Sequence, residues 1–273
     1  MNNNGQKEIK LYGKLSGKKV TISDINLESI RDLGKLGFTM VKETRKDSDG
    51  FDYDLGTTIG KYIYVKNDDP TRGLIIYRDF IECLNLKNGH NLEADNIAKL
   101  QLKQPDIKLT QFPTGTVSIG DVIIGEQIPF YNGYVHIDEY VRQSGDFQSV
   151  IDCGVKLIDI IKELYDNEVS YTDICSKNVM VDPVTNDVKL IDFDVNSSGA
   201  MDLNYAYWTP ANVKYEDLKD DNYNRSLSRL IHLLKDLALI CGVNLDEQLN
   251  NDISSFEELR SIFAKTERRL IKK

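Results

Sequence analysis

The sequence has little of what metal-bound or disulfide-stapled proteins are built from. Its four cysteines (Cys83, Cys153, Cys175 and Cys241) lie far apart with no CxxC spacing, and its three histidines (His90, His136 and His232) are equally scattered. This argues against a structural zinc site and a dense disulfide framework, and it fits a reducing compartment. No stretch approaches the ~18 consecutive apolar residues of a membrane-spanning helix. The N-terminus, MNNNGQKEIK, has no apolar signal core. Basic residues are in the minority, 34 against 43 acidic for a net charge of −9. A general binder of nucleic acid or of an anionic membrane needs a basic face, so neither partner is expected. The basic C-terminal stretch KTERRLIKK reads as a solvated helix end carrying favourable cations. The chain is expected to be soluble and cytoplasmic.

What is present is enough apolar material for a real core: 41% hydrophobic residues over 273 positions, sufficient for one large domain or two lobes. The first half is rich in strand signals. Residues 8–25 read as a hairpin turning at Ser16-Gly17, and residues 26–37 as a short helix. The polar run 42–50 reads as a connector. A hairpin follows over 60–80, its turn expected in the cluster Asp-Asp-Pro-Thr-Arg-Gly at 68–73. Leu92, Ile97 and Leu100 fall roughly on one helical face, and residues 116–130 read as two more strands. After Gly145 the period changes. Ile151, Val155, Ile158, Ile161 and Tyr165 recur at steps of 4, 3, 3 and 4, the spacing of one helix face. NVMVD and VKLIDF are short strands joined by PVTND, and helices are expected over 225–240 and 256–273. A strand-rich half followed by a helix-rich half with one small hairpin predicts an α+β chain of two lobes.

The stretch YTDICSKNVMVDPVTNDVKLIDFD, residues 171–194, sets Asp173, Asp182, Asp187, Asp192 and Asp194 among apolar strand residues. Unpaired buried charge is costly, so these acids need partners. Asp182 and Asp187 flank a turn, where aspartate is at home. Asp173 and Asn178 form Asp-x4-Asn on the loop after the long helix, and Asp192 ends the second strand beside Phe193. In that frame the stretch resembles the protein-kinase-like superfamily, whose catalytic loop runs H-R-D-x-x-x-x-N and whose metal motif is D-F-G. Here they read YTDICSKN and DFD. The likeness covers roughly residues 50–240 and implies an atypical, minimal, bacterial-type form of a bilobal α+β fold: a small β-rich N-lobe over 46–132, a trimmed helical C-lobe over 133–273, and an N-terminal extension over 1–45.

The resemblance implies ATP and Mg²⁺ as cofactors. Asp173 becomes the base that orients the incoming hydroxyl, and Asn178 and Asp192 become metal ligands. Magnesium takes only one or two carboxylates besides phosphates and water, so a sparse oxygen set suits it. Lys177 is a candidate phosphate contact. In the first half, Gly56 and Gly60 stand where the glycine-rich loop approaches phosphates, with no third glycine between them. Arg78 takes the place of the strand lysine, with Lys66 in the preceding strand as the other candidate. Glu93 resembles the helix glutamate that pairs with that cation. In IPFYNG, which resembles the adenine-receiving hinge, Ile128 is the gatekeeper and Phe130 a nucleotide contact. Asp221, in DDNYNRSLSRLIHLL, resembles the anchor of the catalytic-loop backbone.

The departures are also specific. Tyr171-Thr172 replaces His-Arg before the aspartate, Cys175 stands two residues after it as a packed side chain, and Asp194 replaces the glycine of the metal motif as a loop cap. The segment from Asp192 to WTPAN is short, so control by its phosphorylation is not expected. The activity implied is Mg·ATP-dependent transfer of the γ-phosphoryl group to a protein (Ser/Thr) or small-molecule hydroxyl. A pseudokinase serving as a binding module, and a kinase-fold nucleotidyltransferase, stand as alternatives.

Overall fold

The computed structural model describes residues 9–13, 20–22, 33–34, 36–41, 44–46, 52–54, 61–77, 114–119, 122–167, 169, 171–192, 219–250 and 252–270. Two units divide the chain, Met1–Leu102 with Phe112–Asn132, and Lys103–Gln111 with Gly133–Lys273.

The first unit is built on a seven-stranded antiparallel sheet. Its strands are β1 (Ile9–Gly13), β2 (Val20–Ile22), β3 (Phe38–Met40), β6 (Lys61–Lys66), β7 (Asp69–Tyr77), β8 (Gly115–Ile119) and β9 (Val122–Pro129), in the order β2-β1-β8-β9-β7-β6-β3. The hairpin expected over 8–25 is β1–β2, with Leu11 opposite Val20. Strand β1 also pairs along β8, so part of the first 45 residues lies within the sheet. The hairpin over 60–80 is β6–β7, but its turn is only Asn67-Asp68. The sequence Asp69-Pro70-Thr71-Arg72 opens β7 instead, where the register slips: Lys66 faces Asp69, while Val65 faces Gly73. The Asp69 carboxylate takes the Thr71 amide and hydroxyl at 3.2 and 2.6 Å, which closes that irregularity locally.

The polar run 42–50, expected to be a connector, contains β4 (Thr44–Lys46), which pairs with β5 (Asp52–Asp54). Apolar periodicity could not have found it, because the two strands read Thr-Arg-Lys and Asp-Tyr-Asp; the register sets Lys46 opposite Asp52. On the sheet, Gly125 lies where β8 and β9 change register, Val117 facing Gly125 and Ser118 facing Ile123. A Cβ at 125 would fall 2.1 Å from the Ile75 carbonyl oxygen, so only glycine permits this approach of strands. The helices expected over 26–37 and 91–103 lie largely or wholly outside the described residues.

The second unit opens with β10 (Val135–His136), α1 (Ile137–Ser144) and α2 (Phe147–Asp166). Two residues make the corner between the helices. Gly145 (φ 61°) ends α1 in the left-handed conformation, its amide on the Val141 carbonyl, and the Asp146 carboxylate then accepts the Gln148 amide to cap α2. The long periodic segment is α2, as expected. Strands β11 (Val179–Val181) and β12 (Val188–Leu190) form the expected hairpin and join β10 in a three-stranded sheet. Helices α3 (Lys219–Ile240) and α4 (Phe256–Leu270) complete the unit. Leu157, Ile161, Leu234 and Phe263 are at most 1% exposed and form the helical core. Gly154 of α2 belongs there by necessity, because a Cβ would lie 2.3 Å from the Phe263 ring and 2.7 Å from Leu234.

The turn acids behave as expected. Asp182 accepts the Val184 amide and the Thr185 hydroxyl, which holds its carboxyl below the usual range. Asp187 accepts from Tyr134 and pairs with Lys189. Among the described residues no helix is long and apolar enough to cross a membrane.

Candidate active site

Helix α2 delivers the chain to an irregular segment, residues 171–175, followed by a 3-10 turn, Ser176–Asn178, that leads directly into β11. This turn brings Asn178 back onto Asp173. The Asn178 side-chain Nδ2 donates to the Asp173 backbone carbonyl and to its Oδ2, both at 2.9 Å. Both partners are acceptors only, so the amide must present its nitrogen to them. Its oxygen is thereby left as an acceptor, with no protein donor among the described residues.

The hairpin β11–β12 then returns antiparallel, so the residue before Asp192 lies beside Asn178. The Ile191 amide donates to the Asn178 carbonyl at 2.9 Å. The Ile191 carbonyl accepts from the Tyr171 hydroxyl at 2.7 Å. Both backbone groups of residue 191 are therefore tied to the loop that carries Asp173. At Asp192, two residues past the end of β12, the backbone takes a positive φ of 65°. Aspartate tolerates that conformation better than most residues, at a cost on the order of 1–2 kcal/mol for an L-residue.

Tyr171, where the resemblance has histidine, is wholly buried. Its carbonyl accepts the Ser226 hydroxyl at 2.7 Å, and that hydroxyl is also bonded to Tyr165 on α2. The next carbonyl, of Thr172, accepts from Arg229 Nη1 at 2.9 Å, and the same nitrogen lies 3.4 Å from Asp173 Oδ1. Helix α3 thus anchors the loop through Ser226 and Arg229. Asp221, expected to do so, is exposed. The reason is helical register: Asn222 and Ser226, one turn apart, are buried on the inward face, and Asp221 is rotated about 100° from Asn222. Asn222 and Ser226 place polar groups one turn apart on the buried face, a weak signal, whereas Arg229 is exposed and carries none.

Burial, and then the charges of Asp173 and Asp192, push the Cys175 thiol up, while the Lys177 and Asn178 amides oppose this. The thiol stays protonated and packed, as the sequence suggested. Lys177 is exposed beside it. In the first unit, Ile128 is buried on β9 opposite Gly73. Phe130 is half-buried just after the strand, its amide on the Thr71 carbonyl at 2.7 Å. Lys66 donates to the Leu36 carbonyl at 2.7 Å and lies 5.0 Å from the Phe38 ring centroid, which ties β6 to the turn before β3. Gly56, Gly60, Arg78, Glu93, Asp194 and the segment through WTPAN lie outside the described residues.

No protein-family model matches the sequence, and no curated protein does. Among solved structures the chain is similar to protein kinases. Rad53 (residues 1–466, crystallised with AMP-PNP) is 12% identical, with 92% of this chain and 67% of that chain covered at a TM-score of 0.48. The PknI kinase domain of Mycobacterium tuberculosis is 10% identical, with 84% and 96% covered at 0.46. Nothing about activity or ligand follows from overlaps at that level. The order of elements in this chain, a β unit followed by helices that flank the loop and hairpin, is itself the α+β arrangement that the sequence resemblance implied.

Proposed function

We propose that the chain is an atypical, minimal protein-kinase-like phosphotransferase. It moves the γ-phosphoryl group of ATP, with Mg²⁺, to a hydroxyl of a protein Ser/Thr side chain or of a small molecule. One observation carries the reading: Asn178 is bonded by its side chain to Asp173 and by its backbone to the residue before Asp192. The candidate base and the two candidate metal ligands are therefore held by one set of hydrogen bonds.

The donor chemistry fits magnesium. An amide oxygen with no protein donor among the described residues and one carboxylate make a sparse, hard-oxygen pair of the kind Mg²⁺ takes alongside phosphates and water. The described residues contain no group of three or more His, Cys, Asp or Glu that could form a self-sufficient cage. Asn178 and Asp192 would hold the ion. When bound, Mg²⁺ neutralises charge on the phosphoryl oxygens. Asp173 accepts the hydrogen bond of the acceptor hydroxyl and aims its oxygen. As the new O–P bond forms and the bond to the β-phosphate oxygen breaks, that proton passes to the Asp173 carboxylate and ADP departs. Lys177 contacts phosphate. Gly56, Gly60, Arg78, Glu93, Ile128 and Phe130 are assigned to the nucleotide by the sequence resemblance.

The test uses the full chain with Mg²⁺ and ATP labelled at either the α or the γ phosphate, with Asp173→Asn as the control. Covalent γ-label on the chain together with ADP formation, both lost in Asp173→Asn, supports phosphotransfer. Covalent α-label overturns it in favour of nucleotidyl transfer. Binding of Mg·ATP without ADP formation or label overturns it in favour of a binding module.

A further inference from the structure

The loop carries no cation immediately before Asp173, since Tyr171 and Thr172 stand there. The cation comes instead from α3. We infer that Arg229 is a positioning residue that fixes the Asp173 carboxylate for the transfer step. The inference rests on the phosphotransfer reading above.

Three observations carry it. First, the two carboxylate oxygens of Asp173 are held from two sides: Oδ2 by the Asn178 amide at 2.9 Å and Oδ1 by Arg229 at 3.4 Å. Each oxygen accepts more than one hydrogen bond, so a hydroxyl can still be received while the plane of the carboxylate is set. Asn178 alone would fix one oxygen and leave the other free to swing. Second, the same Arg229 nitrogen donates to the Thr172 carbonyl at 2.9 Å, so side-chain orientation and the backbone position one residue earlier are coupled through one group. Third, Arg229 and Asp173 are both substantially exposed, at 44% and 41%. An exposed ion pair adds little to stability, so maintaining the fold is a poor account of it. Ser226, one turn earlier and fully buried, has the structural role. Both residues anchor the loop backbone, Ser226 at the Tyr171 carbonyl and Arg229 at the Thr172 carbonyl, but of the two only Arg229 also reaches the Asp173 carboxylate.

The experiment measures ADP formation from Mg·ATP, with water as acceptor, by the full-length wild type and by Arg229→Gln, Arg229→Lys and Ser226→Ala. Calorimetric Kd for Mg·ATP and melting temperature are read alongside. Loss of alignment near the reacting atoms costs up to about 100-fold in rate. Arg229→Gln is therefore expected to lower kcat by about 10- to 100-fold, with Kd and Tm near wild type. Arg229→Lys recovers part of that rate. Guanidinium ion at non-denaturing concentration restores part of the activity of Arg229→Gln and none to Asp173→Asn. Wild-type kcat in Arg229→Gln overturns the inference and leaves the phosphotransfer reading standing. A kcat loss that tracks a fall in Tm, as in Ser226→Ala, without rescue by lysine or guanidinium, also overturns it. Absence of ADP formation by the wild type refutes the phosphotransfer reading, and the inference falls with it.

Discussion

Replacing Tyr171 with phenylalanine removes one oxygen atom and tests whether the loop and the hairpin form one unit. The side chain is wholly buried, and its hydroxyl donates to the Ile191 carbonyl, the residue before Asp192. Phenylalanine keeps the ring and its packing, so no cavity term enters. What is lost is one hydrogen bond, about 1 kcal/mol net, and what is added is an acceptor without its donor, about 1–3 kcal/mol. The two are overlapping accounts of one change, so the expected loss is about 2 kcal/mol. For a domain of this size that is a fall in Tm of roughly 4–8 °C. Because Ile191 sets the position of Asp192, the affinity for Mg·ATP should also weaken, by about tenfold if Tyr171 acts as an outer-shell support of a metal ligand. Tyr140→Phe is the control: it loses a 2.6 Å hydrogen bond to Asn186 in the same unit, away from the loop. It should lower Tm without changing nucleotide affinity. Thermal melts and calorimetry on both variants decide the matter. Equal changes in affinity for the two, or wild-type Tm and affinity in Tyr171→Phe, refute the coupling argued here.

Four further outcomes are expected. Asp192→Asn keeps a residue that tolerates φ 65° and removes the charge, so Mg²⁺-dependent nucleotide binding by calorimetry should disappear while Tm holds. Asp173→Asn should bind Mg·ATP as the wild type does and form no ADP, so normal turnover would remove Asp173 from its assigned role. Gly154→Ala should destabilise the protein by up to about 2 kcal/mol in denaturant titration, because an overpacking cost of about 1–3 kcal/mol against Phe263 and Leu234 outweighs the ~1 kcal/mol gain in helix propensity; a stabilised variant would show that the helices part easily there. Burial first, then the hydrogen bond to Asp187, raise the Tyr134 hydroxyl to about 12. The folded state therefore holds this proton more tightly than the unfolded chain, where tyrosine titrates near 10. That stabilisation is complete below pH 10 and lost as pH rises toward about 12. Tyr134→Phe should flatten the corresponding part of the alkaline stability curve, and an unchanged curve would contradict the assignment.

Where a single period dominates, the fold was legible in the sequence. The α2 face from Ile151 to Tyr165 and the valine-rich runs of β11 and β12 each announce their own structure, and the hairpin between them follows from PVTND. Helix α1 carried a weaker signal, because eight residues hold barely two turns; Gly145 and the Asp138–Arg142 pair at 2.8 Å delimit and support it. Strand β4 was hidden by its polar composition. At the candidate site, Asp-x4-Asn put both residues on one loop, but the hydrogen bond of Asn178 onto Asp173, made as the 3-10 turn Ser176–Asn178 bends the chain back, is visible only in the structure. The anchors from α3 were missed for a geometric reason. Asp221 has the right chemistry but is exposed, whereas Ser226 and Arg229, in what reads as an ordinary amphipathic helix, reach the loop from more than 50 positions away in sequence.

The most direct test of the account is calorimetric titration of the wild-type chain with ATP, once with Mg²⁺ and once with EDTA. If Asn178 and Asp192 hold a metal for the nucleotide, ATP binds with Mg²⁺ and binds much more weakly or not at all with EDTA. Equal affinity in the two titrations, or no binding in either, contradicts the phosphotransfer centre and redirects attention to protein partners of the fold.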